Sequence, residues 1–421
     1  MSGALNFPDP PVTTGQTYTS PNGATSWLYD GTKWLVTGGN ALAVGDSPPA
    51  NPANGQLWWD SIGLALMLYY NDGNSSQWVP ATPQGTLADA PQDANAYLRQ
   101  NAQWVTGVTS AQSGYNVGRN ALHNPYFNIQ QRGTSFTTPG FTADRWSIGW
   151  SGGSGSMSLT AMTDADRAAI GDEAALYKVV DTFTGTGAAG DYHQIIQQIE
   201  NLHRLSGKTI TTSFWAMCSA TPLSVGVGNL LLFGTGGSPS AMIRPTGTPV
   251  ALTTTWRRYS VTATLPSTAG MTYGTNNDSY LQVAFWLSSG STYANNAGNI
   301  GVQSGTVSLW GAQCEVGTVM TPLEKIDPML DLQRCQRFFQ TGKYVVCFSN
   351  SSAGGTVGNT WCLPVQMRAA PTTAVIGTPA YSNCSGARMA DNDVTGFTCV
   401  VAVTATGGGY GVFNWTASAD L

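Results

Sequence analysis

The sequence predicts an all-β protein: short N-terminal β-hairpin repeats, a jelly-roll-like β-sandwich, a short linking helix and a small C-terminal β-sandwich tip domain. Three observations carry this. Charged residues are 10% of the 421, whereas Gly reaches 50 and Trp, Tyr and Phe reach 14, 16 and 13, a balance typical of β-rich structural proteins. Runs of β-branched and aromatic residues, many alternating with a period of two, recur from residue 119 onward. Asp30-Gly31 and Asp72-Gly73 each sit between apolar runs, as type I′ hairpin turns do. The chain is too long for one ordinary core and suits two to four domains.

Residues 1–82 hold a degenerate repeat, with copies at 15–38 and 54–81. Each has a Gly-Gln start, an aromatic soon after, a Leu-Tyr or Tyr-Tyr strand, then Asp-Gly and a Trp-containing end. Units this small bury little by themselves, so their aromatics imply packing on something else. The Gly/Pro/Ala/Asn-rich stretch between the copies reads as a linker. Residues 84–110 repeat the idea as a smaller hairpin, with Tyr97-Leu98-Arg99 and Gln103-Trp104-Val105 as its arms. The expected boundaries are 1–50 for the first repeat and linker and 51–118 for the second repeat and stalk.

Residues 119–325 form the main sandwich. The stretch 119–146 opens it, alternating around Phe127 and Ile129 before a polar Gln130-Gln131-Arg132-Gly133 break, with a strand expected at 145–150. Strands follow at 157–162, 175–183, 192–202, 209–216, 225–233, 256–263, 280–287 and 306–313, a count that fits two packed sheets. The segment 192–205 also permits a helix; its neighbours are strands needing partners, which favours strand. Asp327-Pro328 is a helix start with a cap and a first-position proline, and it opens a linking helix over 326–340 with Met329, Leu332, Cys335 or Gln336, and Phe339 on one stripe. Residues 341–421 carry a second β region, with strands at 343–348, 360–367, 373–376, 396–405 and 411–417.

Composition also excludes. A net charge of -5 with 18 Lys and Arg lacks the basic clusters that neutralise a phosphate backbone, so nucleic acid is not an expected partner. Residues 62–70 make the longest apolar run, too short to span a bilayer as a helix, so no membrane insertion is expected. The start of the sequence has no signal-peptide pattern. Cys218, Cys314, Cys335, Cys347, Cys362, Cys384 and Cys399 form no CxxC pair and read mostly as reduced, buried small hydrophobes. With three His and no ligand cluster at metal spacing, no metal or other cofactor is expected. Asp391, Asn392 and Asp393 offer oxygens suited to calcium, but read as a solvated turn.

Three pieces carry a resemblance. The repeats with LYYNDGNSSQWVPA and DAPQDANAYLRQNAQWV resemble the N-terminal parts of tailed-bacteriophage fibre and appendage proteins. RNALHNPYFNIQQRGTSF, TADRW, SGKTITTSFWAMCSA, TTWRRYSVTATLP and the run ending MLDLQRCQRFFQ are similar to a sandwich common in phage and prophage tail fibres, with a carbohydrate-binding-module-like fold. The ending from MRAAPTT to GGGYGVFNWTASADL resembles the tip domain that follows it. The resemblance implies a receptor-binding appendage of the virion, a homotrimer, attached through its N-terminal repeats to other virion proteins of the tail, baseplate, collar or portal. It further implies adsorption to a host surface polysaccharide or lipopolysaccharide.

Sugars are recognised by aromatic faces together with amide and hydroxyl hydrogen bonds. On that ground the candidate glycan contacts are Trp361, Tyr381, Asn383, Tyr410 and Trp415 in the C-terminal region, and Tyr293, Asn295 and Asn296 in the loop SGSTYANNAGN. Trp361 and Trp415 compete with a core-filling role, as do Tyr381 and Tyr410. No catalytic residue is assigned. A depolymerase or esterase needs paired carboxylates or an activated nucleophile; the acidic stretches 163–173 and 390–394 read as solvated turns, and Asp191 with His193 or Glu200 with His203 are thin pairs. A head fibre, collar or connector part with a mainly structural role is the other alternative.

Overall fold

The computed structural model describes residues 7–8, 13–19, 26–38, 42–81, 97–100, 103–106 and 118–421. The chain is all-β in these residues, with two short α-helices, and divides into two compact units, 1–107 and 108–421. The start of the sequence at 1–6 and most of the expected stalk, including 82–96, lie outside the described residues.

In the first unit, β1 (Thr17–Thr19), β2 (Ser26–Tyr29) and β3 (Trp34–Gly38) form an antiparallel sheet. A second sheet joins β4 (Ala43–Gly45), β5 (Leu57–Asp60), β6 (Ala65–Asn71) and β7 (Ser76–Pro80). The repeat is visible in the hydrogen bonds. Gly15 N–H donates to Tyr29 O and Tyr29 N–H to Gln16 O; Gly55 does the same with Tyr69, and Tyr69 with Gln56, all at 2.8 Å. Tyr29 packs on Trp34 and Tyr69 on Trp78, each with ring centroids 5.3 Å apart. Phe7 completes the first cluster against Trp27 and Trp34.

Two expectations change here. Only Gly31 and Gly73 of the turn centres have positive φ, so these are not type I′ turns. Asp30 Oδ1 instead accepts the N–H groups of Thr32 and Lys33, and Asp72 Oδ1 those of Asn74 and Ser75, a side-chain cap that holds the loop without a second left-handed residue. The stretch read as a linker supplies β4, which adds parallel to β5, so a boundary at residue 50 cuts through one sheet. The hairpin arms β8 (Tyr97–Gln100) and β9 (Gln103–Thr106) pair antiparallel.

The second unit opens with a sandwich of two six-stranded antiparallel sheets. The front sheet runs β10 (Ser135–Phe136), β13 (Ser154–Ala161), β14 (Tyr177–Thr184), β21 (Ser304–Val316), β16 (Thr209–Cys218) and β19 (Arg257–Thr264). The back sheet runs β11 (Gly140–Phe141), β12 (Trp146–Ser151), β15 (Tyr192–Glu200), β20 (Tyr280–Ser289), β17 (Ser224–Leu232) and β18 (Thr248–Ala251). The segment 192–200 is therefore strand. Between the sheets alternate residues such as Val179, Ile195, Phe214, Val225, Phe285 and Leu309 are fully buried, as the two-residue period requires. His193 Nε2 of the back sheet lies 2.9 Å from Asp181 Oδ1 of the front sheet, and the imidazole stacks on Trp150.

The stretch 119–134 is not the strand its alternation suggested. Asn124 and Phe127 take positive φ, and the Asn124 side chain bonds to Ile129 and Asp144, making a knot of irregular backbone. The acidic stretch expected as a solvated turn holds α1 (Asp164–Ile170), capped by Thr163 with a reciprocal bond to a buried Asp166. Asp166 also accepts from Trp256 Nε1 and Lys178 Nζ.

The linking helix, α2 (Pro328–Gln336), is capped by Asp327, whose carboxylate accepts from Met329 and Leu330 N–H. Its buried side matches the predicted stripe only in part: Cys335 and, beyond the helix, Phe339 are buried, but Asp331 also faces inward and Met329 is 72% exposed. The reason is polar. Asp331 Oδ1 accepts the Asn124 N–H at 2.9 Å, which turns this side of the helix toward the knot.

The C-terminal sandwich packs β22 (Phe339–Ser351), β27 (Gly407–Ser418) and β24 (Thr372–Ser382) against β23 (Thr356–Cys362), β26 (Gly396–Val403) and β25 (Cys384–Ala390). Its core holds Tyr344, Val346, Phe397, Val401, Phe413 and Trp415. Cys218, Cys314, Cys335, Cys384 and Cys399 are buried free thiols, and Cys347 and Cys362 are exposed ones.

Candidate functional site

The two groups of candidate residues have different fates. In the C-terminal sandwich they do not converge. Trp415 is 2% exposed and fills the core, with Trp361 at 6.3 Å between ring centroids. Tyr381 opposes Gly411 across the ladder and Tyr410 opposes Ser382, so the two tyrosines project from opposite faces of one sheet. The Tyr381 hydroxyl accepts from Ala387 N–H, and Asn383, at positive φ, donates to Gly408 O. Trp415, the Tyr381 hydroxyl and Asn383 are thus tied into the fold itself, whereas Tyr410 is 46% exposed. Asp393 Oδ1 likewise accepts from Thr395 and Gly396 N–H, and the Asn392 amide N–H group donates to Pro371 O and Thr373, so these two groups hold the turn itself.

The group at Tyr293, Asn295 and Asn296 does form a site, with partners from the back sheet. In β15, Ile195 and Ile199 enter the core, so Tyr192, Gln194 and Ile196 face outward; in β20, Leu281, Val283 and Phe285 go in and Gln282, Ala284 and Trp286 go out. Residues 290–301 fold over this outward face. Close approach requires glycine beneath them: a Cβ on Gly226 would stand 2.0 Å from Ala297 O, and one on Gly228 2.4 Å from Asn296 O and 2.8 Å from Trp286 Nε1. Asn296 anchors the loop, its Nδ2 donating to Asn229 O and Pro245 O. Asn295 Oδ1 accepts from Thr246 at the rim.

What remains open is a cleft walled by Tyr192, Trp286 and Tyr293. Their ring centroids lie 5.2 to 6.2 Å apart. Gln194, Gln282 and Arg244 complete it. It has a volume of about 160 Å³, and a hollow of about 260 Å³ that shares Arg244, Tyr293 and Asn296 with it is bounded also by Thr292 and Asn295. Gln194 Oε1 and Trp286 Nε1 are buried without a partner, an acceptor and a donor that leave hydrogen-bonding capacity unused.

Sequence reasoning found the loop residues but missed Tyr192, Gln194, Arg244 and Trp286. At least half of the cleft stands on strands rather than in loops. The available signal was the parity of YHQIIQQIE, in which Tyr192 and Gln194 alternate against Ile195 and Ile199.

The pairs considered for catalysis are occupied elsewhere. The Asp191 carboxylate accepts from Thr186 and Gly187, which lowers its pKa, the Thr186 hydroxyl contributing most. His193 belongs to Asp181. Glu200 is bound bidentately by Arg337, and His203 stacks on Tyr273 at 4.0 Å. Among the described residues no helix is long and apolar enough to cross a membrane, and no group of three or more His, Cys, Asp or Glu is placed to hold a metal ion.

No family model and no curated protein matches the sequence. Solved structures do. A C-terminal family 22 carbohydrate-binding module of Clostridium thermocellum is 14% identical, covering 48% of this chain and 99% of its own, with a TM-score of 0.27. A structure described as "CBM4 structure and function" is 20% identical over 46% of this chain and 98% of its own, with a TM-score of 0.26. The enzymatically active domain of bacteriophage CBA120 tailspike protein 4 is 12% identical over 47% of this chain, with a TM-score of 0.26. The match spans 21% of that tailspike chain. None of these similarities transfers a binding residue to this chain.

Proposed function

We propose that this protein is a non-enzymatic glycan-binding appendage of a virion, of the tail-fibre class, and that the back-sheet cleft is its sugar site. The observation that carries the reading is the combination at that cleft of three aromatic rings with the amide side chains of Gln194 and Gln282 and the guanidinium of Arg244. A pyranose has apolar C–H faces and a belt of hydroxyls, so it meets rings on one side and donors and acceptors on the other. The residues lining the cleft include no carboxylate, and acid/base glycoside chemistry needs two.

The sequence resemblance supports the assembly: a homotrimer with the N-terminal repeats docked on other virion proteins and the sandwiches presented to a host polysaccharide or lipopolysaccharide. Multivalency then raises avidity by orders of magnitude without new contacts. The purified chain is expected to sediment as a trimer and to block adsorption of the parent particle to host cells. A chain that neither binds cells nor competes with adsorption contradicts the reading.

A further inference from the structure

The back-sheet cleft carries a charge that its own walls do not neutralise. Arg244 lines both the cleft and the hollow beside it, and its guanidinium has no hydrogen bond or ion pair among the described residues. The residue is exposed, so the guanidinium is open to a ligand. Neither space is lined by an Asp or a Glu. The two tyrosines of the cleft, Tyr192 and Tyr293, are only partly buried, and Tyr293 borders both spaces as Arg244 does.

The backbone on each side of Arg244 is held. Ile243 N–H donates to Leu231 O at 3.0 Å and Leu231 N–H to Ile243 O at 2.9 Å, a bridge that ties the segment to β17. Pro245 O accepts from Asn296 Nδ2, and Gly247 N–H donates to Asn295 O, both at 2.9 Å. A Cβ on Gly247 would stand 2.1 Å from Asn296 O, so this segment lies tight against the cleft loop. A ligand at Arg244 therefore orders a side chain and not a loop, which keeps the cost of binding low. The guanidinium is a planar fork that matches the oxygens of a carboxylate or a phosphate. The net charge of -5 opposes an anion at long range, but screening over about 8 Å at physiological ionic strength leaves the local cation to decide.

We propose that the cleft selects an acidic sugar, one whose carboxylate or phosphate oxygens accept from Arg244 while an apolar face of its ring rests on Tyr293. This rests on the reading of the cleft as the sugar site and adds the charge class of its ligand. A neutral hydroxyl accepts from the guanidinium without cancelling its charge. An oxyanion takes two parallel bonds and cancels it.

The test is ligand-observed NMR on the full chain with matched pairs, glucose against glucuronate and galactose against galacturonate, and with glucose 6-phosphate as the phosphate arm. Arg244→Gln removes the charge and keeps hydrogen-bonding groups at the same place. Tyr293→Ala reports whether the cleft is where the sugars bind. At least one acidic sugar is expected to bind the wild type about fivefold or more tightly than its neutral partner, the upper range for an exposed ion pair. That margin is expected to vanish in Arg244→Gln and to shrink at high salt, and Tyr293→Ala is expected to weaken both members of the pair. Tightest binding of a uronate assigns a carboxylate and of glucose 6-phosphate a phosphate, and either supports the proposal. Equal binding of acidic and neutral partners, or a margin kept by Arg244→Gln, overturns the charge selection; where Tyr293→Ala still weakens binding, the cleft reading stands. Binding of none of these sugars, or binding that Tyr293→Ala leaves unchanged, overturns the proposal through the cleft reading on which it rests.

Discussion

Asp420 Oδ1 lies 3.5 Å from Arg145 Nη1, inside the seam between the two sandwiches. Asp420 also pairs with Arg132, which reaches Asp144 at 3.7 Å. The guanidiniums rest on rings just beyond the linking helix, Arg145 at 3.4 Å over Phe338 and Arg132 at 3.6 Å over Phe339. Burial lowers the Arg145 pKa to about 10, with Asp420 opposing the shift, so the group remains a cation at neutral pH. Breaking a buried pair by removing one partner costs more than the pair contributes. Asp420→Ala is therefore expected to destabilise the second unit by roughly 3 kcal/mol. Calorimetry on the wild type and variant checks this, and an unchanged melting temperature contradicts the clamp.

The bond between Asp181 and His193 ties the two sheets of the main sandwich together across its core. Asp181→Ala leaves a buried imidazole nitrogen unpaired and opens a cavity, and is expected to cost roughly 2–4 kcal/mol. Urea denaturation measures it. A loss below about 0.5 kcal/mol, the range of a neutral surface change, contradicts the cross-brace.

Asp166 gives the chain an acid-sensitive support. Burial raises its pKa, but bonds from Lys178, Trp256 and Thr163 outweigh this and hold the carboxyl well below the usual carboxylate range. A depressed folded pKa means that the stabilisation is full above the unfolded value of about 4 and is lost as pH falls toward the folded value. Asp166→Asn is expected to lower stability by roughly 2 kcal/mol at neutral pH and by much less near pH 2. Thermal melts of both proteins across pH 2 to 7 test the sign; a difference that grows in acid contradicts it.

Gly228 sets the depth of the cleft loop. Gly228→Ala places a methyl group against Asn296 O and Trp286 Nε1, and overpacking of this kind costs roughly 1–3 kcal/mol. The change is expected to lift residues 290–301 and weaken glycan binding together with stability. Hydrogen exchange in that loop reads the displacement, and unaltered protection contradicts it.

The all-β class and most strands were legible because a two-residue period leaves a direct trace in sequence, as in Ile210, Thr212 and Phe214 of β16, which are buried. The hairpin repeats were legible from Gly-Gln and Asp-Gly. What was hidden depends on partners far away in sequence. The inward turn of Asp331 on α2 follows from its meeting Asn124, 207 residues apart, so the apolar stripe was right at Cys335 and wrong at Met329. The stretch 119–134 alternates like a strand but is fixed by side-chain bonds to its own backbone. Of the candidate glycan contacts, Tyr293 stood in an exposed loop beside small residues, whereas the strand-borne Tyr192, Gln194 and Trp286 meet it only after two strands pair and a loop folds across them.

Whether the back-sheet cleft binds sugar is decided by an array of bacterial surface polysaccharides probed with this chain, with Tyr293→Ala and Gln194→Ala beside the wild type. The wild type is expected to retain a small set of glycans. Each variant is expected to lose about tenfold or more in affinity for that set, from a lost ring face or a lost amide of the cleft lining. Retention of no glycan by the wild type, or equal retention by all three proteins, contradicts the claim.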